Sequence, residues 1–315
     1  MLIWVSHSMI DILLATYNSA RFIHETLDSI LRQDNQDWRL LIRDGGSEDK
    51  TVDIIQSWQR RYPDKIQIVS SDGRTCAREN FSALLSAGTA PYLMFCDHDD
   101  VWFSDKISKT FSAMQAAERQ YGPDMPVLVF TDMQVADERL SVLDASYFAY
   151  QHLDPGRILL RHLLVQNIPC GCTMMINRKQ ADCCGRIPPE AVMHDHWLSL
   201  LAATAGRIVY LPETTMKYRQ HAQNIYGATR YGLDYLIKRT LAGPGAARQR
   251  FYQNVRQAKA FEQHYKGVMD SPSLEILRDF ARLDELGWLS RRRVLLRHKL
   301  FKSGCLRNII TLLIV

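Results

Sequence analysis

Three aspartates stand within four residues of the chain, directly after the apolar run PYLMFC at 91–96. In an extended chain, alternate side chains share a face, so Asp97 and Asp99 would point the same way and Asp100 elsewhere. Two carboxylates at an open site suit Mg²⁺ or Mn²⁺, which usually keep water and bind substrate phosphates. A solvated acidic turn is the alternative, but three acids this close repel one another without a cation. The spacing therefore predicts a divalent metal site at Asp97 and Asp99.

A second group of titratable residues is the segment MHDHW at 193–197, before a predicted helix. Asp195, His194 and His196 could each move a proton. An imidazole titrates near neutrality, whereas an aspartate would need its pKa raised to do so. Asp195 could instead simply cap the helix that follows. The residue types leave these alternatives open.

The elements that must position these groups alternate short apolar runs with amphipathic stretches, the pattern of an α/β protein with a mostly parallel sheet. The predicted strands are residues 10–16, 38–44, 65–71, 91–96, 126–132 and 173–177. Helices are predicted between them, with Asn18 capping the first, and the chain from about residue 231 is predicted to be helical. Parallel sheets bind ligands beyond the carboxyl ends of their strands, where the acidic cluster lies.

The composition is that of a folded soluble protein. Of 315 residues, 46% are hydrophobic and 23% charged, which excludes a disordered chain and a protein with many membrane spans. Seven cysteines, without a basic and apolar leader, predict a reducing cytoplasmic environment. Cys170, Cys172, Cys183 and Cys184 lack the paired spacing of a zinc site, so buried thiols are predicted.

Positive charge is concentrated near the end of the chain. Residues 230–315 hold 17 basic and 7 acidic residues, whereas residues 1–229 hold 22 and 27. This asymmetry predicts two regions, 1–229, which holds both groups of titratable residues, and a basic helical 230–315. Basic residues alternate there with Leu295, Leu296, Leu300, Leu306, Ile309, Ile310 and Leu313. The pattern favours an anchor lying on an anionic membrane surface, and ordinary packing helices remain the alternative.

Five segments in order resemble family 2 glycosyltransferases, and in particular the branch for bacterial surface polysaccharides that includes rhamnosyltransferases. They are ATYN (15–18), RDGGSEDKT (43–51), FCDHDDVWFSDKI (95–107), HDHWLSLLA (194–202) and YRQHAQNIYG (218–227). The resemblance implies a GT-A (Rossmann-like) fold and transfer of a sugar from a nucleotide-sugar with inversion.

The resemblance also implies roles for individual residues. Those expected to bind the nucleotide-sugar are Thr16, Tyr17, Asn18, Asp44, Asp97 and Arg219. Asp44 is expected to bind the base, although Arg43 stands where the family usually has an acid. Asp97, Asp99 and His221 are expected to hold the metal, and Asp195 to act as the base. Beside the third strand's turn, Arg74 and Arg78 are further candidate phosphate ligands.

These observations predict a glycosyltransferase that depends on Mg²⁺ or Mn²⁺ and works at the inner face of the cell membrane. The expected donor is a UDP- or dTDP-sugar, and the acceptor a lipid-linked saccharide of a surface polysaccharide such as O-antigen; nucleic acid is not an expected partner. A sugar-phosphate nucleotidylyltransferase would need a Gly-rich loop after the first strand, and TYNSARF has no glycine. A non-catalytic protein that binds membrane or nucleic acid on the same fold is the other alternative.

Overall fold

The computed structural model describes residues 9–71, 73–222, 227–228, 230–232 and 243–315, and within them helices alternate with the strands of one sheet. The strands are β1 (Ile10–Thr16), β2 (Trp38–Asp44), β3 (Ile66–Ile68), β4 (Tyr92–Cys96), β5 (Val101–Trp102), β6 (Val127–Ala136), β7 (Val142–Asp144), β8 (Met174–Asn177) and β9 (Arg207–Arg219). The helices are α1 (Ile23–Leu31), α2 (Thr51–Arg61), α3 (Ala77–Ala87), α4 (Lys106–Tyr121), α5 (Tyr147–Tyr150), α6 (Leu160–Leu163), α7 (Arg178–Cys184), α8 (His194–Ala205), α9 (Gly243–Tyr265), α10 (Ser271–Ala281), α11 (Trp288–Arg297) and α12 (Cys305–Ile314). The predicted α/β class is confirmed.

The strand order in the sheet is β3-β2-β1-β4-β8-β6-β9-β5, with β7 paired to β6. The pairs among β3, β2, β1 and β4 are parallel, as predicted, whereas β8 is antiparallel to both β4 and β6. The chain proceeds from β1 to β2 and β3 on one side and then returns to place β4 on the other side of β1. A crevice forms where the strand order changes in this way, beyond the carboxyl ends of the strands.

Two strands differ in length from the prediction. β3 covers only 66–68 because it lies at the sheet edge and pairs with β2 alone. β6 continues to Ala136 because β9 runs parallel beside it, from the Val127 and Arg207 pair to the Ala136 and Arg219 pair. Such long-range pairing is invisible in the local pattern of β6.

The prediction that Asn18 caps the first helix is wrong. α1 begins at Ile23, after a turn in which the carbonyl of Ser19 accepts the N–H groups of Phe22 and Ile23. Asn18 lies before this turn with a positive φ of 45°, and its side-chain oxygen accepts the backbone N–H of Glu48. It therefore joins the loop after β1 to the loop after β2.

The C-terminal helices pack against the sheet-bearing part of the chain. Phe251, Val255 and Phe261 of α9 are buried in the same hydrophobic cluster as Trp197 of α8, and the Phe261 and Trp197 rings are 5.1 Å apart. Thr229 and residues 233–242 lie outside the described residues, so the boundary between regions 1–229 and 230–315 stays a prediction. None of the described helices is both long and apolar enough to cross a bilayer.

The seven cysteines are free thiols. Cys96, Cys172 and Cys184 are buried, as predicted for small thiols. Cys76, Cys183 and Cys305 are exposed, so burial is not general.

Candidate active site

A cleft of about 650 Å³ opens beyond the carboxyl ends of β1 and β4, where the strand order changes. Thr16 and Tyr17 line it after β1, and Asp97 and Asp99 after β4. Asp195, in the first turn of α8, lines the same cleft. Residues widely separated in the sequence are thus brought together as expected for one active site.

The acidic segment, residues 97–100, forms a turn rather than an extended chain, and this turn is called the acidic turn below. Thr26 Oγ1 donates to the carbonyl oxygens of His98 and Asp100, both at 2.9 Å, and so holds the turn closed. A carboxylate oxygen of Asp97, one of Asp100 and the Cys172 sulfur consequently lie within 4.8 Å of one another. The prediction that Asp100 points away is wrong, because the side-chain alternation of a strand ends with β4 at Cys96.

Burial, and then repulsion between neighbouring carboxylates, raises the pKa values of Asp97 and Asp100. The pKa of Asp97 is raised by burial and by the neighbouring charges of Asp99 and Asp195. Burial and the neighbouring charges of Asp99 and Asp97 raise the pKa of Asp100.

Lys106, a basic residue near these carboxylates, is fully buried, and burial lowers its pKa to about 8. Its ammonium donates to Thr215 Oγ1 at 3.1 Å and lies over the Trp102 ring. A bound cation would offset the repulsion within this turn.

Asp99 faces His221, whose Nε2 lies 2.8 Å from the Asp99 carboxylate. The predicted metal ligands Asp99 and His221 are therefore neighbours, and Asp97 lies on the same turn. Gln223 to Tyr226 of the motif that contains His221 lie outside the described residues.

Arg219 does not line the cleft. Its buried guanidinium donates to the carbonyl oxygens of Asp99 and Glu138, both at 2.7 Å, and to the carboxylate of Glu25. Its backbone N–H donates to Asp100 at 3.0 Å. In this arrangement Arg219 fixes the back of the acidic turn, and its expected contact with the nucleotide-sugar stays a prediction.

The predicted nucleotide site contains Thr16, Tyr17 and Asp44. The Asp44 carboxylate accepts from Thr16 Oγ1, from Ser47 Oγ and from the backbone N–H groups of Gly46 and Ser47. Four bonds occupy its acceptor positions, so a nucleotide base would have to displace a hydroxyl to bind Asp44. The role of Asp44 in binding the base stays a prediction.

Of the arginines predicted to bind phosphate, Arg74 lines the cleft and Arg78 does not. The Arg74 guanidinium donates to the Tyr17 hydroxyl at 3.0 Å, beside the ring of the same tyrosine. Arg78 donates to the carbonyl oxygens of Pro189 and Ala191, which turns it toward the loop before α8. Arg43 is also turned away, since it donates to Asn80 and to the carbonyl oxygen of Ser70.

Asp195 is held by backbone donors at the beginning of α8. Its carboxylate accepts the N–H of His196 at 2.6 Å and that of Gly171 at 3.3 Å. Burial raises its pKa to about 6 despite these bonds. Burial lowers the pKa of His194 to about 3 and that of His196 to about 4. Of the three, Asp195 is the stronger base near neutral pH.

Residues 167–172 complete the cleft, and no local pattern in the sequence predicts this. Asn167, Cys170, Gly171 and Cys172 all line the cleft. They arrive there because β8, which follows them, pairs with β4, aligning Met175 with Met94. Only the pairing of β8 with β4 could have indicated that these residues reach the cleft, and that pairing is a property of the sheet rather than of the local sequence pattern.

Residues 11–181 match the model of the family described as "Glycosyl transferase family 2". The "dTDP-rhamnosyl transferase RfbG" of Shigella flexneri is 28% identical over 224 residues, which are 68% of this chain and 74% of that protein. Uncharacterized relatives from Mycobacterium bovis and Mycobacterium tuberculosis are 27% identical over 67% of this chain, which spans only 58% of their length.

Two solved glycosyltransferase structures are also similar. S. aureus TarS 1–349 in complex with UDP-GlcNAc gives a TM-score of 0.57 at 13% identity, covering 92% of this chain and 80% of that one. The mannosyltransferase PcManGT from Pyrobaculum calidifontis, in complex with GDP-Man and Mn²⁺, gives 0.52 at 17% identity, covering 91% and 73%. At these identities the similarity establishes a shared fold.

Proposed function

The chain belongs to glycosyl transferase family 2 and has the GT-A fold, and from that premise we propose which reaction its cleft performs. The enzyme transfers a sugar from a nucleoside diphosphate donor to a saccharide acceptor, with inversion of the anomeric centre. The observation that carries this proposal is the single cleft in which Thr16 and Tyr17, the acidic turn and Asp195 face one another.

Asp195 is proposed as the base. In an inverting displacement the acceptor hydroxyl attacks the anomeric carbon of the donor sugar on the face opposite the leaving diphosphate. The hydroxyl must lose its proton as it does so. The Asp195 carboxylate takes that proton, and its raised pKa of about 6 leaves it ionised yet basic near neutral pH. The N–H groups of Gly171 and His196 orient it.

The acidic turn is proposed to hold a divalent cation. Its ligand atoms fit one, because carboxylate oxygens lie close together there, and burial and the neighbouring carboxylates raise the pKa of Asp97. Bound there, Mg²⁺ or Mn²⁺ supplies positive charge to the departing diphosphate. Asp97, Asp99 and His221 are the expected ligands, and His221 Nε2 lies 2.8 Å from the Asp99 carboxylate. PcManGT, which has the same fold, is described in complex with Mn²⁺.

The proposed donor is a UDP- or dTDP-sugar bound over Thr16 and Tyr17, with Arg74 near the phosphates. The lining of the cleft that holds Asp97 and Asp195 also includes Met133, Cys170 and Cys172. Side chains of this kind suit the methyl group of a 6-deoxysugar, since a buried hydroxyl beside them would lack strong partners. This agrees with the donor and sugar named for the Shigella relative.

The acceptor is proposed to be a lipid-linked saccharide of a bacterial surface polysaccharide, such as O-antigen, met at the inner face of the cell membrane. The support comes from the C-terminal region, where Trp288 and Leu289 are exposed in a strongly basic segment. An amphipathic surface of this kind binds the interface of an anionic membrane. Residues 230–315 would then hold the catalytic region 1–229 close to the acceptor.

The test is a screen of the purified protein with UDP-, dTDP- and GDP-sugars, with Mg²⁺, Mn²⁺ or a chelator present. Release of nucleoside diphosphate and thermal stabilisation by the donor are both measured. We expect Asp97→Asn to lose both, and Asp64→Asn, which changes an exposed acid outside the cleft, to lose neither. Full activity in chelator would contradict the cation, and the absence of both nucleoside diphosphate release and thermal stabilisation with every nucleotide-sugar would contradict the proposed donor.

A further inference from the structure

One side of the cleft is formed by Tyr147, the first residue of α5. The side chain is half-buried, and its ring meets the ring of Tyr218 edge-on with 5.9 Å between the centroids. Burial, and then the nearby Cys170 thiol and the charge of Asp195, raise the pKa of Tyr147. The cleft therefore contains an aromatic ring with a protonated hydroxyl, within electrostatic reach of the proposed base.

Asp132 holds the backbone that carries Tyr147. This aspartate of β6 is only 6% exposed, and its carboxylate accepts the N–H of Tyr147 at 3.1 Å. The same carboxylate accepts from Ser146 Oγ at 2.5 Å and from its neighbour's N–H, that of Met133, at 2.8 Å. One buried carboxylate thus joins β6 to the start of α5 and fixes the position of Tyr147.

The order of strands places Tyr147 at the end of the cleft opposite the predicted nucleotide site. Across the sheet the order is β1, β4, β8 and β6. β1 ends at Thr16 in the nucleotide site, β4 leads into the acidic turn, and the turn before β8 holds Asp195 through Gly171. Tyr147 is attached to β6, the next strand. In an inverting displacement the acceptor lies beyond the transferred sugar, on the side away from the diphosphate, and Tyr147 is at that end.

The C-terminal region supports the same side of the cleft. Arg307 donates to the carbonyl oxygen of His152 at 2.9 Å, and the N–H of Asp154 donates to Ser303 Oγ at 3.3 Å. Leu153, between these two contacts, lines the cleft. Since the C-terminal region is the part proposed to face the membrane, an acceptor arriving from there would meet this side of the cleft first.

We propose that Tyr147 binds the acceptor saccharide and that Asp132 is the positioning residue that holds Tyr147 in place. The ring packs against the apolar face of a sugar, and the hydroxyl bonds to a sugar hydroxyl, which together fix the orientation of the acceptor. This inference rests on the proposed function and names the residue that selects its acceptor. Because the nucleotide site is at the other end of the cleft, Tyr147 should govern the KM of the acceptor and not the affinity for the donor.

The experiment measures acceptor and donor separately. The acceptor probes are N-acetylglucosamine joined through a diphosphate to a short alkyl chain, and p-nitrophenyl glycosides of rhamnose, galactose and N-acetylglucosamine. Mass spectrometry detects the product, and calorimetry gives the affinity for the nucleotide-sugar that the screen selects. We expect Tyr147→Phe, which loses one hydrogen bond, to raise the acceptor KM about 3- to 10-fold. Tyr147→Leu, which also loses the ring, should raise it at least about 10-fold, with donor affinity within about 2-fold of wild type.

The role of Asp132 is tested by combining variants. Asp132→Ala should raise the acceptor KM as Tyr147→Leu does, and Asp132→Asn should recover part of the loss because its amide oxygen still accepts. Adding Asp132→Ala to Tyr147→Leu should raise the acceptor KM no further, because Asp132 acts through Tyr147. Tyr150→Leu is the matched control, since Tyr150 is on the same helix but is not among the residues that line the cleft. Circular dichroism and thermal melting show whether each variant is folded, and Tyr147→Phe decides the question if Tyr147→Leu is not.

An unchanged acceptor KM in the Tyr147 variants, or a donor affinity that falls as steeply as the acceptor KM rises, would overturn the proposal. Additive losses in the double variant would overturn the positioning role of Asp132. A protein that releases nucleoside diphosphate from the donor but glycosylates none of these acceptors would overturn this inference and leave the proposed donor standing. A protein that binds no nucleotide-sugar would contradict the proposed function and this inference with it.

Discussion

Asp195 is the ionisable residue at the start of α8 whose pKa lies closest to neutrality. Burial raises the pKa of this acid to about 6, and lowers those of His194 and His196 to about 3 and 4, since burial disfavours the charged form of each. The His194 ring packs 3.9 Å from that of Phe81, and His196 is bonded to the carbonyl of Leu163. The imidazoles thus remain neutral, while the carboxylate is available to take a proton.

The first prediction concerns Asp195→Asn. We expect turnover to fall by about 10² or more with donor affinity little changed, because the amide has the size of the carboxylate but cannot accept the proton. Steady-state kinetics and donor titration measure the two effects separately. Donor affinity that fell as steeply as turnover would mean that Asp195 binds substrate instead. Equal losses in His196→Asn but not in Asp195→Asn would reassign the base.

The second prediction concerns pH. Since Asp195 must be ionised to accept a proton, kcat/KM should fall as the pH drops through about 6 and level off above it. A profile from pH 5 to 8 at saturating cation tests this. The residual activity of Asp195→Asn should not show this fall in kcat/KM at low pH. A wild-type rate that stayed constant down to pH 5 would exclude a base with this pKa.

Part of this site follows from the sequence and part does not. Thr16, Tyr17, Asp97 and Asp195 follow strands or open a helix, and a strand end is a position that local pattern predicts well. The orientations of Arg78 and Arg219 depend on which carbonyl oxygens are within reach, and those come from distant loops. The direction in which a long side chain points is therefore decided by tertiary packing.

At the scale of elements, the ends of β1 and β4 create the cleft, and the 3₁₀ turn before β8 (Gly171–Thr173) contributes Gly171 and Cys172 to its lining. The first four strands could be predicted because each apolar run is followed by a helical pattern. The antiparallel direction of β8 could not, since four residues of buried strand read the same in either direction. The resulting contact between the 3₁₀ turn and α8 places Gly171 against Asp195 and His194.

The third prediction tests that contact with Gly171→Ala. A Cβ atom at this position would lie 2.5 Å from His194 Nε2 and 3.5 Å from the Asp195 Cβ, so the turn or α8 must shift. We expect stability to fall by about 1–3 kcal/mol and turnover to fall more steeply than donor affinity, because the proton acceptor is displaced. Gly267→Ala is the control, since a Cβ there meets nothing within 4 Å. Wild-type turnover in Gly171→Ala would show that this contact does not position the base.

At the scale of the whole molecule, the C-terminal segment supports one wall of the cleft. Arg307 is buried and donates to the carbonyl oxygens of Gln151 and His152, and Gln166 accepts the N–H of Ser303 at 2.8 Å. The neighbouring residues Leu153 and Asn167 line the cleft. Removing residues 290–315 would therefore disturb the active site as well as any membrane contact, and point substitutions make the better test.

The predicted membrane surface is smaller than the leucine pattern suggests. Leu295 and Leu300 are buried in the core, so those positions serve packing. Trp288, Leu296 and Leu313 are exposed by 60%, 55% and 74%. Sequence periodicity could not separate the two sets, because both alternate with basic residues on short helices. The exposed set is what remains for a bilayer.

The last prediction concerns binding to vesicles. Exposed Arg293 and Lys299 should each contribute about 1 kcal/mol near an anionic surface, so Arg293→Gln with Lys299→Gln should weaken binding roughly 30-fold at low salt. Trp288→Ser with Leu313→Ser should instead remove the part of the binding that persists at high salt, because inserted apolar surface is not screened. Leu143→Ser, an exposed leucine on β7, is the control. Co-sedimentation with anionic and neutral vesicles at two salt concentrations measures both contributions. If the unsubstituted protein sediments with neither kind of vesicle, these helices serve packing and the proposed membrane role is wrong.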